Sequence, residues 1–61
     1  MFNMRTWKSV ELSKADADKF RVFLKENGIK YEASGCFNLI HFQVHVNDTE
    51  TNNIDAFLET I

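Results

Sequence analysis

The chain has 61 residues, a formal charge of −2 and a single cysteine, which leaves room for one small domain, residues 1–61, and excludes an intrachain disulfide framework. A domain this short buries only ~60% of the surface its unfolded chain exposes, so a lone monomer is marginal and self-association is the natural remedy. No charged-then-apolar leader opens the sequence and no apolar run approaches the ~18–20 residues of a membrane span, so a cytoplasmic domain in a reducing compartment is expected.

Charge is unevenly placed. All seven basic residues fall within residues 1–30, whereas residues 31–61 carry five acids and no Lys or Arg. Such asymmetry favours an oriented partner or a head-to-tail contact.

Residues 2–12 alternate imperfectly and are expected to form a strand. Phe2, Met4, Val10 and Leu12 share one face, and Arg5, Trp7, Ser9 and Glu11 share the other. Lys8 interrupts the apolar face. A bulge at Lys8 and Ser9 would turn Trp7 inward with Val10 and Leu12, so the register decides whether Trp7 is a core or a contact residue.

Ser13-Lys14-Ala15-Asp16 fits a capping box, with Ser13 closing free amides of the first turn and Asp16 favouring its positive end. The helix it opens is expected to run to about Asn27. Its apolar stripe is Ala17, Phe20, Phe23 and Leu24; Lys14, Asp18, Arg21 and Lys25 face water. Asn27-Gly28-Ile29 is a stop signal, in which Gly28 takes the left-handed conformation and Ile29 folds back onto Leu24.

Ile29, Tyr31 and Ala33 alternate with Lys30, Glu32 and Ser34 in a second strand, and Ser34 to Asn38 reads as a turn. The run LIHFQVHV, Leu39 to Val46, is the third strand, with Ile40, Phe42, Val44 and Val46 on one side. Asn47 to Asn53 is polar and rich in capping residues. Beyond it Ile54, Phe57, Leu58 and Ile61 recur at helical spacing in a short terminal helix. The expected architecture is an α+β two-layer sandwich, β-α-β-β-α, with a three-stranded sheet in the order 1-3-2. Both helices lie on one face, in a ferredoxin-like topology lacking its last strand. A likeness of topology carries no function.

The chemical candidates are sparse. His41 and His45 point the same way on a strand, but residues four apart are separated by ~13 Å, and metal–imidazole bonds are ~2 Å long. No second ligand pair has metal-binding spacing, so neither a metal nor a cofactor is expected. Ser9, Ser13 and Ser34 sit outside any nucleophile-elbow sequence, and Cys36 is better read as a turn residue than as a nucleophile paired with a histidine. Two glycines cannot supply a phosphate-cradling loop. The expectation is a protein without enzymatic activity and without a small-molecule substrate.

What remains is the sheet face that the helices leave uncovered. It should carry Lys30, Glu32, Ser34, Ser9 and Glu11, and with them the candidate interaction residues Arg5, Trp7, Leu39, His41, Gln43 and His45. Strand one would also present unpaired backbone along its outer edge. The leading expectation is a small binding protein (an adaptor, an inhibitor or an accessory protein) that forms a homodimer, or docks another protein, through strand one and this face. The alternative is single-stranded nucleic-acid binding on the same face, with Arg5, Trp7, Lys8 and Lys30 contributing and the histidines as weaker stacking groups. Two histidines on one face could also make an interface pH-responsive.

Overall fold

The computed structural model describes residues 4–61, the side chain of Cys36 excepted. Five elements follow in order: β1 (Thr6–Ser13), α1 (Lys14–Glu26), β2 (Lys30–Cys36), β3 (Leu39–Val46) and α2 (Asp48–Leu58). The strands form one sheet in the order β1-β3-β2, and both outer strands run antiparallel to β3. The expected β-α-β-β-α sandwich is therefore the observed one.

The most apolar strand lies at the centre because it must be covered on its inner face along its whole length. Phe42, Val44 and Val46 of β3 are buried, together with Ala17, Phe20 and Leu24 of α1, Ile54 of α2 and Ile29. Residues of both helices share one cluster with the even-numbered side of β3, which puts the helices on one face of the sheet. Aromatic contacts link the layers of the core. The Phe20 ring meets Phe42 edge-on at 5.0 Å, and Phe23 stacks on Phe57 at 4.4 Å between centroids, joining α1 to α2.

Local signals account for the helix ends. At the start of α1 the Ser13 side chain accepts a hydrogen bond from the Asp16 amide at 3.4 Å, and the Lys14 amide donates to the Asn38 carbonyl at 2.9 Å. The hairpin tip thus satisfies an amide that the helix cannot. At the other end Gly28 takes φ +65°, its amide donates to the Lys25 carbonyl, and the Ile29 amide donates to the Leu24 carbonyl. This is the Schellman pattern expected of Asn27-Gly28-Ile29, with buried Ile29 following buried Leu24.

Three boundaries differ from the sequence expectation. First, β1 begins at Thr6; Met4 and Arg5 precede it, and the expected strand position Phe2 lies outside the described residues. Second, β2 extends to Cys36, so the connection shrinks to Phe37 and Asn38. Gly35 belongs to the strand rather than the turn, because it must sit against β3: a Cβ there would come within 2.5 Å of the Leu39 carbonyl oxygen and 2.9 Å of Ile40 Cα. Third, α2 begins at Asp48 rather than near Ile54, and it ends at Leu58, so Ile61 lies beyond it. The polar segment was itself helical. Asn47 accepts from the Glu50 amide at 2.8 Å, and Glu50 accepts from the Asn47 amide at 3.1 Å, a reciprocal capping box that starts the helix before its apolar stripe begins.

Candidate interaction surface

The pairing of β1 with β3 is unbroken from Thr6 opposite Val46 to Ser13 opposite Leu39. No bulge interrupts it, so period-two alternation fixes the face of every side chain. Val10 and Leu12 turn toward the helices with Lys8, which stays exposed, and Trp7 turns to the uncovered face. The choice left open by the sequence falls on the side of a surface tryptophan, which is 48% exposed.

Across the sheet, registers stack the uncovered face into rows. Trp7, His45 and Lys30 form one; Ser9, Gln43 and Glu32 the next; Glu11, His41 and Ser34 a third. Leu39, opposite Ser13, lies beyond them toward the hairpin tip and is 52% exposed. Within the first row the Trp7 and His45 rings stack at 4.8 Å between centroids with 29° between planes. This cross-strand contact leaves the indole about half exposed. In the third row His41 Nδ1 lies 3.6 Å from Glu11 Oε2, an ion pair when the imidazole is protonated. Gln43 is exposed at the centre of the face.

Four of the six candidate residues, His41, Gln43, His45 and Trp7, are thus brought together in adjoining rows, with Leu39 at one end. Arg5 is not part of this group. Its guanidinium reaches back across the end of the sheet, donating to the His45 carbonyl at 3.0 Å and pairing with Glu50 at 2.8 Å. Glu50 is the same residue that closes the capping box of α2. One carboxylate therefore ties the entry of β1 to the start of α2. No sequence signal could have shown this, because the partners are 45 residues apart.

The hairpin tip supplies a further contact candidate. Phe37 is 93% exposed and takes φ 60°, with Asn38 completing a two-residue turn. A positive φ at the first central position alone marks the primed turn that glycine normally fills. A bulky side chain there is held in a disfavoured conformation and gains no burial in return.

The histidines stand in different rows, and among the described residues no three His, Cys, Asp or Glu side chains are grouped so as to hold a metal ion. Among the same residues no polar or charged side chain is buried. No helix among them is long and apolar enough to cross a membrane. No family model, curated protein or solved structure that was compared matches the chain.

Proposed function

We propose that the protein is a small binding module that associates through β1 and the uncovered sheet face, with a second copy of itself as the first partner. The observation that carries this reading is the placement of Trp7. A half-exposed tryptophan, stacked against His45, stands on a strand with no neighbour on its outer side among the described residues. Tryptophan contributes strongly to interfaces when its remaining surface is desolvated, and an unpaired edge offers main-chain hydrogen bonds to an added strand.

Lys8 limits how two edges can meet. It points to the helix side of β1 from an exposed position, and a register placing it beside its own copy sets two ammonium groups together, which opposes edge pairing. The strands must pair offset from that register.

Electrostatics favour a protein partner over nucleic acid. The rows of the uncovered face hold one ammonium, Lys30, against two carboxylates, Glu11 and Glu32, and Arg5 is occupied by Glu50. Single-strand platforms combine stacking aromatics with a continuous positive track. Here the stacking group is present without the track.

Light scattering across a wide concentration range tests the proposal. A folded protein whose mass rises above the 7.1 kDa of one chain, and whose association is weakened by Trp7→Ala, supports it. Association unaffected by Trp7→Ala in a folded variant sinks it. Tryptophan fluorescence that shifts on addition of an oligonucleotide, and reverts with salt, would instead favour the nucleic-acid alternative.

A further inference from the structure

On the opposite layer, α1 and α2 leave an apolar groove between them of about 350 Å³, lined by Lys19, Val22, Phe23, Glu26, Phe57 and Ile61. The stacked rings of Phe23 and Phe57 join its two walls. Val22 is 55% exposed and Ile61 36%, both large apolar groups left to water. The groove borders the α1 stripe at Phe23, on the side of the helix layer away from the sheet. Its rim carries two charged residues, a base at one end and an acid at the other. Neither forms an ion pair with another described residue.

The charge order identifies what fits. Along α1 the sequence reads Lys19, Val22, Phe23, Glu26, so that two charges seven residues apart (about 10.5 Å along the axis) flank an apolar pair. A second α1 laid antiparallel, with a two-fold axis between Val22 and Phe23, brings each Lys19 against the other copy's Glu26. It sets Val22 against Phe23 in both directions at once. This is the self-complementarity that an isologous contact requires. An acylate ligand fits less well, because its carboxylate could meet Lys19 only by running its chain toward the Glu26 carboxylate.

We infer that this groove is a second self-association surface, in which α1 packs antiparallel on α1 of another copy and two reciprocal Lys19–Glu26 pairs fix the register. The contact is independent of the sheet face, and the two lie on opposite layers, so one copy can use both. The groove alone is small beside the ~800 Å² per partner of a standard interface, so the contact is a weak one.

The test is molar mass by sedimentation or light scattering in the Trp7→Ala background, up to about 1 mM, where a contact of millimolar Kd is half-formed. Circular dichroism confirms folding of each variant. The expected result is a concentration-dependent dimer whose Kd rises at least tenfold with Lys19→Glu or with Glu26→Lys, since each sets like charges together. Lys19→Glu combined with Glu26→Lys restores it, because the reciprocal pairs re-form with reversed sign. A Trp7→Ala protein that stays monomeric throughout overturns the inference, as does a double variant no better than the singles. Should Trp7→Ala fail to fold, the same charge series in the wild-type background reads the same loss and rescue. If Trp7→Ala and wild type have equal mass while the charge series behaves as expected, the sheet-face proposal fails and the groove contact stands.

Discussion

Gly35 offers a sharp test of the sheet register on which the proposed interaction face depends. In a loop, Gly35→Ala would be harmless or would stabilise by ~0.4–1 kcal/mol, through a stiffer unfolded chain. In β2 the result changes sign. The added Cβ would stand 2.5 Å from the Leu39 carbonyl oxygen and 2.9 Å from both Cα and Cδ1 of Ile40. Two of those three atoms belong to the backbone of the central strand, so relief requires β2 to move away from β3. Overpacking costs ~1–3 kcal/mol, and rigid neighbours put this case in the upper half of that range. For a domain of this size about 2–3 kcal/mol corresponds to a Tm lowered by about 10–20 °C. Gly28→Ala is the control, since nothing lies within 4 Å of its Cβ and only φ +65° opposes it. That penalty is ~1–2 kcal/mol, partly offset by unfolded-state entropy, leaving about 1 kcal/mol. Thermal melts followed by circular dichroism should therefore rank wild type above Gly28→Ala and Gly28→Ala above Gly35→Ala. A Gly35→Ala protein melting at or above wild type would refute the register.

Three further substitutions probe the surface and its supports. Trp7→Ala should destabilise the fold by at most about 2 kcal/mol, because only about half of a large ring is covered; a loss beyond about 3 kcal/mol in urea unfolding would mean the indole is core after all. Glu50→Gln keeps an acceptor for the Asn47 amide but loses the Arg5 charge pair, whose members are 42% and 19% exposed, so it should cost no more than ~1 kcal/mol. Glu50→Ala loses the cap as well and should cost ~1–2 kcal/mol; equal melting points for the two variants would contradict the double role. Phe37→Gly should raise stability by about 0.5 kcal/mol, since relief of the left-handed conformation exceeds the entropy glycine adds to the unfolded chain. A marked loss would show that the Phe37 ring packs against something.

The sequence made some of this legible and hid the rest for physical reasons. Helix α1 was readable from end to end because its stripe, its Ser13 cap and its Gly28 stop are all local and agree. Strand order followed from the apolarity of β3, which demands the central place. Helix α2 is longer than its apolar pattern suggests, since Asp48 to Asn53 has no apolar periodicity and its helicity rests on one reciprocal cap. Gly35 looks like a turn residue in the sequence because close approach of two backbones leaves no trace in composition. The face of Trp7 was undecidable locally. Lys8 spoiled the alternation, and only an unbroken pairing with β3 settles which way the indole turns. Arg5 looked like an interface residue because its partner, Glu50, is distant in sequence. The groove between the helices could have been suspected from Val22, an apolar residue standing outside the α1 stripe.

The proposed association surface is the uncovered sheet face together with the edge of β1. Backbone amide chemical shifts, recorded by two-dimensional NMR across a wide dilution series, test it residue by residue. Concentration-dependent shifts should cluster on Trp7, Ser9, Glu11, Gln43 and His45 and include the outward-facing amides of β1. If those residues stay unmoved at concentrations where the mass shows self-association, the association surface lies elsewhere on the protein.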